Sequence, residues 1–257
     1  MLKQAIDRAK ILIITCLLML GFSLTFPSSA QAGTGKALEF ATASSSVEVA
    51  TIYETSFTTQ KSVGKSLKVG SKLMKKAPGF QGFSMWQSQD GTQLVVFSQW
   101  QDLASYQAYA PNLTAVSSKT TAATPPTPTS TLIFEVVSVQ PGIKGATPAL
   151  RGKEAVVQLT QFIAKNSEDR SQILTQVTNM IPELLEKQPI PQSVMLLKGV
   201  ETEQVALLTN WNCSALFADV GEPVAIEPSS DLVALADNEH HLYNVVTIVP
   251  AEVKEEE

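Results

Sequence analysis

Segments that alternate apolar and polar residues recur along this chain, each followed by a segment of helical period, and the same order is spelled twice. Val47–Glu54 alternates, with Val47, Val49, Thr51 and Tyr53 on one face. A helix is predicted from Thr58 or Thr59 to about Lys76, with Val63, Leu67 and Met74 on one stripe. Pro78-Gly79 ends it, because proline cannot continue the hydrogen-bond ladder. Strands over 82–89 and 93–100 flank Asp90-Gly91, a strong hairpin signal. Asp102 is placed to cap a second helix that runs through Tyr109 and is stopped by Pro111. An Ala/Thr/Pro loop over 120–131 and a fourth strand over 132–139 complete the set.

The pattern then repeats: a strand over 156–163, a helix over 169–187 with Ile173, Val177, Ile181 and Leu184 on one stripe, and a hairpin of 194–198 with 204–211. A short helix over 214–220 and a final strand over 242–249 follow. Residues 59–106 lie over 170–217 without a gap, an offset of 111, with seven identities that include Pro78/Pro189, Gln93/Gln204 and Trp100/Trp211. Each copy is β-α-β-β-α-β, a ferredoxin-like α+β unit. Within Gln93–Trp100 both alternating sets are apolar: Leu94, Val96 and Trp100 on one side, Val95 and Phe97 on the other. One face can take the copy's own helices, and the other needs a partner sheet. Two repeats packed as an intramolecular barrel supply it; two independent beads would leave both apolar faces in water. The expected boundaries are a flexible leader over 33–45, repeat 1 over 46–141, a Gly/Pro-rich linker over 142–154, repeat 2 over 155–250 and an acidic tail over 251–257.

Composition narrows the function. Among 257 residues the net charge is −5, with 44% hydrophobic and 17% charged residues, the last below the usual ~25%. The acidic balance argues against a nucleic-acid partner, whose affinity rests on phosphate neutralisation. Lys3, Arg8 and Lys10, the apolar run 11–26 and Ala30-Gln31-Ala32 read as an export signal over 1–32, with an uncleaved anchor as the other reading. The 16-residue run is short of the ~20 needed to span a bilayer. Cleavage would leave 16 basic and 23 acidic residues, no membrane span, and a periplasmic, extracellular or other lumenal location. Cys213 would be the one remaining thiol, and a packed role suits it better than a nucleophilic one. His240 and His241 are sequence neighbours and point to opposite sides of a strand, so no metal site is expected. Lys65, Lys68, Lys72, Lys75 and Lys76 make a basic helix face that is either simply solvated or attractive to an acidic partner.

The run Pro78-Gly79-Phe80-Gln81-Gly82-Phe83, then Asp90-Gly91, then Val95-Val96-Phe97-Ser98-Gln99-Trp100 with Asp102 and Tyr106, resembles the antibiotic-biosynthesis monooxygenase superfamily. That resemblance implies a dimeric α+β barrel, here with two fused copies, and for its quinone-forming members an oxidation without cofactor. It also implies catalytic roles for Trp100 and for Tyr106, six residues later, whereas Val96 stands where those members carry asparagine. In the second copy Trp211 matches, Phe217 replaces the tyrosine and Leu207 the asparagine. Haem-degrading members need a histidine in the second helix, and 101–131 has none.

Tyr53 and Trp86 are candidates to line the same space as Trp100, and Trp211, Phe217 and Tyr243 are further candidate substrate contacts. The tryptophans equally suit a plain core role where strand meets helix. Two functions follow: a monooxygenase acting on a small phenolic or hydroquinone-type aromatic, or a non-catalytic binding protein that keeps the barrel. If the halves need each other, residues 33–141 expressed alone will dimerise or aggregate. A soluble, well-folded monomer in sedimentation would contradict the packed pair.

Overall fold

The computed structural model describes residues 36–42, 45–115, 126–213, 215 and 229–250. The chain runs β1 (Ala37–Glu39), β2 (Val47–Glu54), α1 (Gln60–Met74), β3 (Phe80–Ser88), β4 (Gln93–Trp100), α2 (Leu103–Ala115) and β5 (Ser130–Pro141). It continues through β6 (Ala149–Arg151), β7 (Val156–Ala164), α3 (Ser167–Glu186), β8 (Ser193–Gly199), β9 (Gln204–Trp211), α4 (Ser230–Leu235) and β10 (Ala236–Pro250). Eight strands close into a barrel in the order β10-β3-β4-β2-β5-β8-β9-β7, every pairing antiparallel. Within each half the order is the ferredoxin-like one: β3-β4-β2-β5 and β8-β9-β7-β10. The halves are joined where β5 pairs with β8 and β10 with β3.

The two apolar sets of β4 part as their alternation requires. Val95 and Phe97 enter the barrel interior with Trp86, Phe134, Met195, Leu208 and Tyr243. Leu94, Val96 and Trp100 face the helices with Val49, Phe83 and Tyr106. The second half has its own helix-side cluster around Phe162, Ile173, Val177, Ile181 and Leu207. Asn166 caps α3, its side-chain oxygen accepting from the Asp169 N–H at 2.9 Å. Thr59 holds the corresponding place before α1, but its hydroxyl accepts from the Ser56 N–H at 2.8 Å and tightens the preceding turn.

Several expectations are corrected. Residues 37–39 and 149–151, expected within a flexible leader and a linker, form the ribbon β1·β6 with Leu38 opposite Leu150, both buried in the barrel core. The ribbon stoppers the end at which β2, β3, β7 and β8 begin. Three-residue strands carry too little alternation to be seen, and their partners lie over a hundred residues apart. Gly82 makes room, since a Cβ there would meet Leu38 Cδ1 at 2.5 Å. Pro111 does not stop α2, which runs through it to Ala115. The final strand begins at Ala236 rather than at 242, because its early residues pair with β7 from Ala164 to Leu159. The export signal over 1–32, the helix expected over 214–220 (residue 215 apart) and the acidic tail lie outside the described residues.

Two amides at equivalent places hold the ribbon. Gln99 donates to the Glu39 carbonyl at 3.0 Å, and Asn210, 111 residues later, donates to the Ala149 carbonyl at 3.1 Å. Gln99 also donates to Glu48 Oε1 at 3.0 Å, while Glu48 Oε2 is buried without a partner. Burial pushes the Glu48 carboxyl up to about 8, offset in part by the Gln99 hydrogen bond. Between pH 4.5 and about 8 the unfolded chain therefore binds fewer protons than the folded one, so stability falls as pH rises through that window. Glu48→Gln should flatten the fall. Melting temperatures of both proteins between about pH 5 and about pH 8.5 will check it, and equal slopes would contradict the assignment.

Candidate functional site

β4 places Leu94, Val96, Ser98 and Trp100 on its helix-facing side, and the chain then turns at once into α2. Asp102 accepts from the Ser105 N–H at 2.7 Å, the interaction that most lowers its carboxyl pKa, and so starts α2 with its axis back across the sheet. Residues three apart on a helix share a face, so Tyr106 and Tyr109 both lie over Trp100. Their ring centroids are 5.7 and 5.1 Å from the indole, and Phe80 closes the other edge at 5.6 Å. Tyr53 reaches the same cluster from β2.

All four tyrosines of the chain are accounted for, and three of them meet here. Burial pushes the Tyr53 hydroxyl up to about 12, with Tyr109 and Tyr106 adding to the rise. Tyr109 is likewise pushed to about 12 by burial and by Tyr106, and Tyr106 is raised by burial and then by Glu201. The three phenols thus stay neutral far above physiological pH and retain a proton to donate. The Tyr109 hydroxyl is buried without a partner. Glu201 comes from the β8–β9 turn of the other half, which is anchored where the Val200 N–H donates to the Ile133 carbonyl at 2.9 Å. Both halves therefore bear on this site.

Of the residues singled out from sequence, Trp100, Tyr106 and Tyr53 are brought together. Trp86 is not, which corrects the expectation that it lines the same space. It lies inside the barrel, stacked on Phe97 at 4.8 Å and 6.0 Å from Tyr243. Tyr243 donates to Gln93 Oε1 at 2.7 Å, and Gln93 Nε2 in turn meets His241 Nε2 at 3.1 Å. Trp211 is buried in the second half, its indole N–H donating to the Pro189 carbonyl at 2.9 Å. Phe217 lies outside the described residues. The Trp100 indole N–H donates to Ser98 Oγ at 3.0 Å. That leaves the Ser98 hydroxyl proton and the phenols as the polar reach of the site.

Tyr109 and Ser98 join the site without having been sequence candidates. The three-residue spacing from Tyr106 carried a signal for the first, whereas nothing local pointed to Glu201. Among the described residues the helix-side cluster of the second half holds aliphatic residues, Phe162 and, at its margin, Met180, and no tyrosine. Among the described residues no group of three or more His, Cys, Asp or Glu side chains is placed to hold a metal ion.

Residues 61–112 match the model of the antibiotic biosynthesis monooxygenase family. No curated protein matches the sequence. Among solved structures the fold is similar to an anthrone oxidase-like protein, at 15% identity and a TM-score of 0.63, over 84% of this chain and 97% of that one. It is also similar to a candidate monooxygenase from Fusobacterium nucleatum subsp. nucleatum, at 11% identity and a TM-score of 0.52, over 80% of this chain and 94% of the other. A candidate monooxygenase from Lactobacillus acidophilus aligns at 6% identity and a TM-score of 0.51, over 80% and 97%. At these identities the likeness is one of fold.

The tyrosine cluster has a titration signature. Free phenols ionise near pH 10, the buried ones here near 12, so the unfolded chain loses protons first and stability falls as pH rises from 10 towards 12. Absorbance near 295 nm should show Tyr53 and Tyr109 silent until unfolding begins. Tyr53→Phe should lessen the alkaline loss of stability, and an unchanged slope would speak against its burial.

Proposed function

We propose, from the premise that this chain carries an antibiotic biosynthesis monooxygenase domain, that its first half oxidises a small phenolic or hydroquinone-type aromatic without a cofactor. The observation that carries the reading is the convergence of Tyr53, Tyr106 and Tyr109 on Trp100 in an otherwise apolar cluster, with one phenolic hydroxyl still unpartnered. Such a site supplies aromatic walls for a flat substrate and neutral donors for a developing oxyanion. For a phenol oxidised to the quinone, one atom of O₂ enters the ring and the other leaves as water, the substrate giving all four electrons. The protein need only hold the substrate anion beside O₂ in a dry place.

None of the three phenols can serve as base near neutral pH. The rate should therefore rise with pH along the substrate's own phenol ionisation, and that rise should move when a more acidic substrate is used. An inflection fixed regardless of substrate would point to a protein base instead. A second reading, a binding protein without turnover, is favoured by one feature: the Trp100 N–H is already engaged by Ser98.

Oxygen uptake separates the two. Removing one donor to a charged oxygen species costs ~1.5–3 kcal/mol, so Tyr106→Phe and Tyr109→Phe should each slow uptake about tenfold or more. Phe217→Tyr, in the half that lacks the tyrosine cluster, should change little, and Trp100→Phe should also cost activity, with folding followed by circular dichroism. If a panel of phenols and hydroquinones draws no O₂ above the protein-free rate yet protects the protein thermally, the binding reading stands.

A further inference from the structure

Helix α1 carries a charge that the fold does not ask for. Lys61, Lys65, Lys68, Lys72 and Lys75 follow one another at steps of four and three, which at 100° per residue puts them within an arc of about 80° along about 21 Å of helix. Lys61, Lys65 and Lys68 are exposed, and among the described residues none of them, nor Lys75, is in an ion pair. No acidic residue occurs anywhere from 55 to 89, in a chain whose net charge is negative. Like charges at this spacing oppose helix formation.

The second half is an internal control. Helix α3 covers its sheet as α1 does, and the positions 111 residues on from the five lysines are Gln172, Gln176, Asn179, Glu183 and Glu186. The same architecture is thus built with neutral and acidic residues, so the stripe answers to something outside the fold. Two large apolar side chains stand exposed beside it, Phe57 at 74% just before the helix and Leu73 at 47% in its last turn. A row of cations along one helix face is matched by a flat anionic surface, which can meet all of them at once. A protein partner would have to bring a groove lined with acids along the whole row.

We propose that the lysine face of α1 docks on an anionic lipid bilayer, the lysines meeting headgroup phosphates and the exposed Phe57, just before the helix, entering the interface. The docking is independent of any chemistry at the tyrosine cluster. The test is partition of the full chain onto vesicles of phosphatidylcholine with or without about 30% phosphatidylglycerol. The apolar run 11–26 will bind both kinds, so the reading is the increment given by the anionic lipid, compared between variants that share the same leader. Each basic residue near such a surface contributes roughly a fivefold gain in partition. Lys61→Gln, Lys65→Gln and Lys68→Asn together, the residues of the second half, should lower the anionic increment by about 100-fold. The triple replacement by arginine should keep it, and salt raised from about 50 to about 300 mM should weaken it. Circular dichroism will show that each variant is folded. An anionic increment unchanged in the neutral variant would overturn the proposal, as would stripe-dependent binding to poly-glutamate without stripe-dependent binding to vesicles.

Discussion

Two seams decide this molecule. Where β5 meets β8 and β10 meets β3, the outer edge of each half finds the hydrogen-bond partners it would otherwise lack, and the barrel closes. Without them each four-stranded sheet would present two open edges and a wholly apolar inner face. Closure at once satisfies the edges and buries Trp86, Phe97, Phe134, Met195, Leu208 and Tyr243 in a common interior. Because both halves lie in one chain, the seams form at an effective concentration set by the connection and not by the amount of protein.

The ends of such a barrel are its weak points, and one end is closed by a borrowed ribbon. β1 and β6 each precede the first barrel strand of a half, and they pair with one another across the pseudo-twofold arrangement. Gln99 and Asn210 hold one strand each from matching positions. The symmetry is broken at Glu48, which pairs with Gln99, whereas Val157 pairs with the matching Asn210. A buried carboxyl bonded by one oxygen only is a cost the second half does not bear.

The same division of labour runs through the helix-side layers. The first half gathers three tyrosines around a tryptophan under α2, and the second packs aliphatic residues under α3. Repeats under one fold can diverge in this way because barrel closure constrains inward-facing residues of all eight strands together, while each outer layer answers only to its own helices. Across the halves, the charge of Glu201 adds to the rise that burial gives the Tyr106 pKa.

Much of this was legible in the residue pattern. The 111-residue offset, the two-sided strand Gln93–Trp100 and the proline-punctuated helices specified two ferredoxin-like units in need of each other, since strand and helix periods are local properties of the chain. Tyr106 beside Trp100 was legible for the same reason, as a short-range spacing across one turn. What only the tertiary structure decided was which side of the sheet each aromatic took relative to the others: Trp86 inside and Trp100 outside, although both lie on strands of one hairpin. It also decided the pairing of two three-residue strands more than a hundred residues apart and the commitment of the Trp100 N–H to Ser98. These depend on how the barrel closes, and closure joins residues whose separation along the chain leaves no periodic trace.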